Sequence, residues 1–176
     1  EQKGVRCFES DLRYTSRFLM DRGLRGLVGI DGPFREQRTL RVFEDPALST
    51  VHIPPPRLAV LSIDIETDPL AERLFSIALH GCGPDEVLLF APHAEQAPPK
   101  TRLYSSEKEL LLAFCAAVAA RDPDILTGWN VIDFDLTVLK KVAQLVGVPL
   151  RLGRDGSEPF LRPARSFFAS SAADLR

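Results

Sequence analysis

The chain holds only three cysteines, Cys7, Cys82 and Cys115, odd in number and far apart. No CxxC pair exists, which excludes a zinc ribbon and a disulfide framework. Free thiols suit a reducing compartment, so a cytoplasmic location is expected. Neither "VGIDG" nor "GCG" is followed by the Lys-Ser/Thr of a phosphate loop, so a P-loop nucleotide site is excluded. No long hydrophobic run exists. The longest, Leu110 to Ala120, is too short to cross a bilayer, and no signal peptide opens the chain, so no membrane partner is expected. Charge of one sign is not in excess: 22 Lys+Arg face 24 Asp+Glu, for a net charge of −2. Bulk attraction to a polyanion is therefore not this chain's binding mode. Internal repeats are absent. The 176 residues start at Glu1 without a Met, and a piece of a longer protein is expected.

What is present is a globular composition. Apolar residues make up 45% of the chain, and a chain of this length can bury roughly 70% of its unfolded surface. The charge is unevenly spread: residues 51–150 hold 13 acids against 8 Lys+Arg, and residues 151–176 hold 5 Arg against 3 acids. An acidic centre with a basic flank suits cations beside a nucleic-acid backbone. The stretch "VHIPPPR" (51–57) reads as a rigid connector, because three prolines exclude helix and donate no hydrogen bonds. It divides a small β-containing segment, 1–56, from a second region, 57–176.

The second region reads as α/β. Residues 58–66, 74–80 and 86–91 have strand character, and "GCGPD" predicts an antiparallel hairpin between the last two. "APHAEQAPPK" reads as a loop. Ser106 with Glu109 forms a capping box that opens a helix to about Ala120. Ile125 to Trp129 reads as a short strand. "DFDLTVLKKVAQLVG" follows as an amphipathic helix stopped by Gly147. The β-helix-β crossover predicts a parallel strand beside the first.

"LSIDIETD" (61–68) raises a chemical question, because carboxylates are rarely placed on a buried strand unless paired or holding a metal. Alternation puts Leu58, Val60, Ser62, Asp64 and Glu66 on one face and Ala59, Leu61, Ile63 and Ile65 on the other. Asp64 and Glu66 are then roughly 6–7 Å apart along the strand. Like charges at that spacing repel, and a cation relieves them; oxygen-only donors favour magnesium or manganese over zinc. The plainer alternative is a strand end at which both acids are merely hydrated. "GWNVIDFD" (128–135) adds Asp135 in the first turn of a helix, where the helix dipole also favours an acid. Asp133 is the better capping candidate, which leaves Asp135 free. Asn130 is either a sugar or phosphate ligand or a turn residue. Phe134 is either a wedge against a base or core. Trp129 is expected in the core rather than as a stacking platform.

"DIETD", followed about 65 residues later by "DPDILTGWNVIDFD", resembles the first two exonuclease motifs of family B DNA polymerases, in wording close to bacterial members. "CFESDLRYTSRFLMDRG" (7–23) looks like their amino-terminal domain, and "VPLRLGRDGSE" (148–158) is similar to the segment after the second motif. The resemblance implies a ribonuclease H-like mixed sheet, an antiparallel meander plus a parallel strand with flanking helices, incomplete at the carboxyl terminus. It assigns 1–56 to part of the amino-terminal domain with its connector and 57–176 to a truncated 3′→5′ exonuclease domain. It implies a DNA-directed DNA polymerase whose proofreading site hydrolyses the 3′-terminal phosphodiester with two Mg2+ or Mn2+ ions. Asp64, Glu66 and Asp135 match three of the four metal-holding acids, and Asn130 and Phe134 match positions that help hold the DNA end. The implied partners are a single-stranded 3′ end, primer-template DNA, the rest of the polymerase chain, and a sliding clamp contacted through regions outside these residues. A bacterial cytoplasm with nucleoid association follows.

The family's third motif, a Tyr followed four residues later by Asp, has no match. Phe18 and Lys108 stand four residues after Tyr14 and Tyr104. His80 and Asp85 have the spacing of the related His form but precede the second motif, and nothing around Asp174 fits. With the fourth acid missing, weak or no activity is expected of this piece alone. Two alternatives stand beside this reading. One is a free-standing four-acid exonuclease or ribonuclease. The other is a non-catalytic DNA-binding module resting on Arg151, Arg154, Arg162 and Arg165, whose plainer role is a solvated hairpin.

Overall fold

Residues 51–59, around the prolines at 54–56, form neither helix nor strand, as a run without N–H donors dictates. The computed structural model describes Gly4, Phe8 and residues 12–38, 40–162 and 171–175. The chain falls into two units, Glu1–Arg57 and Leu58–Arg176.

The first unit contains α1 (Tyr14–Asp21) and four short strands, β1 (Val28–Asp31), β2 (Phe34–Gln37), β3 (Leu40–Phe43) and β4 (Ala47–Thr50). β1 pairs antiparallel with β4 and β2 with β3. The expected β character is there. α1 was not anticipated: it begins without a side-chain cap and buries none of its residues, so no capping signal marks its start in the sequence. The rings of Phe34 and Phe43, tilted at 42° with centroids 5.3 Å apart, join β2 to β3.

The second unit is built on β5 (Val60–Thr67), β6 (Leu74–His80), β7 (Glu86–Phe90), β8 (Thr101–Tyr104) and β9 (Ile125–Thr127), with helices α2 (Glu107–Arg121) and α3 (Asp135–Val146) and a small ribbon of β10 (Phe160–Arg162) and β11 (Ala172–Asp174). The sheet order is β8-β7-β6-β5-β9. β5–β6 and β6–β7 run antiparallel, while β5–β9 and β7–β8 are parallel. The meander and the parallel crossover match expectation. β8 was not foreseen. Its four residues follow the loop through Pro98 and Pro99, too short a run for alternation to stand out. β9 ends at Thr127 rather than Trp129.

One face of the sheet is a core. Leu61, Ile63 and Ile65 of β5 meet Ile77 and Leu79 of β6 and Leu88 of β7, all buried under Leu110, Phe114 and Val118 of α2 and Leu136 and Leu139 of α3. Burial of this apolar surface drives the assembly at about 25 cal/mol per Å2. Phe114 has no exposed surface, and truncation of such a ring costs about 3–5 kcal/mol.

The helix ends follow their residues. Ser106 caps α2 by accepting from Glu109 N–H at 3.2 Å. The return half of the box is shifted by one residue, since the Glu109 carboxylate takes Ser105 N–H and Oγ at 3.1 and 2.7 Å. Asp122 ends α2 in the left-handed region, and Gly147 does the same for α3 at φ 69°. Arg121 closes the far end of the sheet: its buried guanidinium donates to Gly81 O, Pro84 O and Glu86 Oε1 at 2.9, 2.8 and 2.7 Å. This holds the β6–β7 turn against α2.

Candidate active site

β5 alternates as its sequence demands. Leu61, Ile63 and Ile65 are buried, while Asp64 and Glu66 lie exposed on the opposite face. The two acids are therefore neighbours on the open side of an interior strand, directly across from Ala78 and Ser76 of β6. The register slips between Glu66 and Thr67, an irregularity that re-aims a strand end. The third acid of "DIETD" has a different task. The Asp68 carboxylate accepts from Glu72 N–H at 2.6 Å and Arg73 N–H at 2.8 Å, closing the β5–β6 turn. The Arg73 N–H is the main cause holding that carboxyl below its ordinary range. Glu107 pins the same turn to α2 by accepting from Leu74 N–H at 2.7 Å and Arg73 Nε at 3.0 Å.

Asp135 is brought to β5 by the turn that leaves β9. A Cβ on Gly128 would lie 2.4 Å from the Ile63 carbonyl oxygen, a distance real Cβ atoms do not reach, so only glycine lets the chain run this close to the strand. The turn is then locked. Asn130 adopts φ 55°, Phe134 N–H donates to Asn130 O at 2.9 Å, and Leu136 N–H to Val131 O at 2.8 Å. Thr137 Oγ1 donates to Ile132 O at 3.0 Å. The helix cap differs from expectation. Phe134 occupies the N-cap with no side-chain hydrogen bond, and α3 begins at Asp135, so Asp133 does not cap it. The apolar contacts of Leu136 and Leu139 set the helix start here, and packing overrides the local cap preference.

Taken over the whole residue, Asp135 is the most deeply buried charged residue among those described, at 2% exposure. Burial pushes its carboxyl above the usual range, and the negative charge of Asp64 adds to the effect. Its own N–H and that of Ile65 pull the other way. An acid that ionises only against burial and a like charge is a group a cation would relieve. All three side chains offer oxygen, the donor type magnesium and manganese take. The gathering is incomplete, however: among the described residues no three of His, Cys, Asp or Glu stand close enough together to hold a metal ion.

Asn130 and Phe134 lie at the two ends of one hydrogen-bonded turn and both are exposed. Trp129 does not join the core. It is 91% exposed, because the chain stays on the strand at Gly128 and turns out one residue later. Beside Asp64, a groove of about 250 Å3 crosses the open face, lined by Ser62, Ala78, His80, Asp85 and Lys100. His80 Nδ1 meets Asp85 Oδ1 at 2.8 Å, and this bond, more than any other contact, holds the Asp85 carboxyl below its usual range. Their place before the second motif had set the pair aside; only the hairpin register shows that His80 stands across from Ser62 on the face of Asp64. Asp174 is tied to Arg162 at 3.1 Å. Arg154 is engaged by Asp122 and Asp124 at 2.5 and 3.0 Å. Cys7 and Arg165 lie outside the described residues.

A five-stranded mixed sheet with flanking helices and an acid pair on an interior strand is a ribonuclease H-like fold. The family model described as "DNA polymerase family B, exonuclease domain" matches residues 70–166, more than half of the chain. The chain therefore belongs to the family B DNA polymerases. It is 37% identical over 158 residues to DNA polymerase II of Escherichia coli (strain K12), covering 88% of this chain and 20% of that protein. It is 28% identical over 173 residues to a DNA polymerase of Thermococcus sp. (strain 9oN-7), covering 94% of this chain and 18% of that one. The structure resembles that of the family B DNA polymerase from the hyperthermophilic archaeon Pyrobaculum calidifontis, with TM-score 0.61 and 25% identity, over 94% of this chain and 21% of that one. The chain thus spans about a fifth of the length of these relatives.

Proposed function

We propose that the chain is the 3′→5′ proofreading exonuclease region of a DNA-directed DNA polymerase, with Asp64, Glu66 and Asp135 as its acids. The observation that carries this reading is the buried Asp135, whose carboxyl is raised by burial and by the charge of Asp64 on the neighbouring strand. Residues 1–56 read as part of the polymerase's amino-terminal domain and 57–176 as the exonuclease domain.

Asp64, Glu66 and Asp135 would hold the divalent ions, magnesium or manganese. The chemistry such ions would supply there is activation of water at neutral pH and stabilisation of charge on the departing oxygen. The chain's own contribution is positioning. The sheet fixes the Asp64–Glu66 spacing, and Gly128 brings the Asp135 helix start to the strand. Asn130 and Phe134 hold the terminal nucleotide, so that only a frayed, single-stranded end reaches the acids. The open-face groove beside Asp64 offers room for the strand that follows.

The third-motif Tyr and Asp are not among the 176 residues, and the partners, primer-template DNA, the remaining polymerase domains and a sliding clamp, belong to the longer protein. Its location is the bacterial cytoplasm, at the nucleoid. A DNA-binding module without chemistry is disfavoured, since Arg154 and Arg162, two of the arginines it would use, are already held by acids. The test is a single-turnover assay with a 5′-labelled oligonucleotide and magnesium. Slow stepwise shortening from the 3′ end, abolished in Asp64→Ala, is expected. Shortening that survives in Asp64→Ala would refute the assignment.

A further inference from the structure

Trp129 is the most exposed large apolar side chain among the described residues, at 91%, and it is held out on a rigid turn. Gly128 fixes its main chain against Ile63, next to Asp64. Asn130, directly after it, is closed into a turn by Phe134 N–H at 2.9 Å. Two exposed aromatics therefore flank one hydrogen-bonded turn, Trp129 just before it and the 40% exposed Phe134 at its end. A rigid aromatic in water is a ready-made surface for another flat apolar group.

The charge around it selects the partner. Residues 128–135 contain Asp133 and Asp135 and no Lys or Arg, so the turn offers a phosphate no cationic partner of its own. A base face carries no charge and stacks on an indole whatever its identity. We propose that Trp129 is a stacking platform for one base of the single-stranded DNA entering the site, a positioning residue for that strand. This rests on the exonuclease reading for the substrate but is tested apart from hydrolysis.

Trp129 is the chain's only tryptophan, so intrinsic fluorescence reports on it alone. The chain is titrated with single-stranded oligothymidylate in EDTA, where no hydrolysis occurs, and binding is followed in parallel by anisotropy of a labelled oligonucleotide. The expected result is saturable quenching with the same midpoint as the anisotropy change, and none with an abasic strand of equal length. Trp129→Ala should weaken binding about tenfold, with Trp129→Phe restoring most of it, and where shortening is measurable it should raise KM more than it lowers kcat. Equal quenching by the abasic strand, binding without quenching, or no binding at all would overturn the proposal. So would a concentration-dependent blue shift without DNA, which would mean that another protein surface covers the indole. If quenching occurs but Asp64→Ala changes no hydrolysis, the stacking site stands and the exonuclease assignment falls; hydrolysis without quenching has the reverse meaning.

Discussion

Gly128 allows a sharp test of how the site is assembled. In Gly128→Ala the new Cβ would meet the Ile63 carbonyl oxygen at 2.4 Å and the Val131 Cβ at 3.4 Å. A comfortable carbon–oxygen contact is about 3.3–3.6 Å, so strand and turn must part by about 1 Å. Overpacking of this kind costs about 1–3 kcal/mol, which in a unit of this size lowers Tm by roughly 3–15 °C. The same displacement moves Asp135 away from Asp64, and disturbing the groups that orient metal ligands lowers metal affinity about 10–100-fold. Gly81→Ala is the control. Its Cβ would meet the Val60 carbonyl oxygen, also at 2.4 Å, and its φ of +94° adds backbone strain, but it lies at the opposite end of β5 from Glu66. Urea and thermal melts give stability, and manganese titration gives affinity. Both variants should lose stability, and only Gly128→Ala should lose manganese affinity. An unchanged Tm in Gly128→Ala, or equal loss of affinity in Gly81→Ala, would refute the reasoning.

Two further predictions concern pH. Asp135 has a native pKa raised above its unfolded value, so its contribution is full below the unfolded pKa, near 4, and is lost as pH rises through the native one, at up to about 1.4 kcal/mol per pH unit. Asp135→Asn should therefore raise the Tm of the metal-free chain at pH 7 while removing stabilisation by manganese, as scanning calorimetry in EDTA and in manganese would show. Asp124 runs the opposite way, held low first by Ala59 N–H at 2.9 Å and then by Arg154. Asp68 is held low by Arg73 N–H and Glu109 by the Ser105 hydroxyl. The stability these three contribute is present above about pH 4 and lost as pH falls through their native values. Acid unfolding followed by circular dichroism should shift to higher pH in Asp124→Asn.

The strand that carries the acids was legible because alternation is strict over 61–66, and the parallel crossover followed from a strong helix between two strands. Besides α1, three features were not legible, each for a physical reason. β8 is too short to show a period, and its strand state comes from pairing with β7. The start of α3 was set by burial of Leu136 and Leu139 rather than by a cap, which left Asp133 idle. Trp129 was expected inside because large aromatics usually are, but the close contact at Gly128 and the left-handed Asn130 turn it outward. The paired acids themselves were read from residue type and spacing. The burial of Asp135 against Asp64 depends on the tertiary fold and could not be seen in one dimension.

The central claim is that Asp64, Glu66 and Asp135 together bind divalent cations. Free manganese measured by electron paramagnetic resonance, with the chain titrated in, tests it without DNA or turnover. Loss of the free-ion signal by the native chain, and its return in Asp64→Ala, Glu66→Ala and Asp135→Ala, is the predicted result; equal manganese binding by the native chain and all three variants would contradict it.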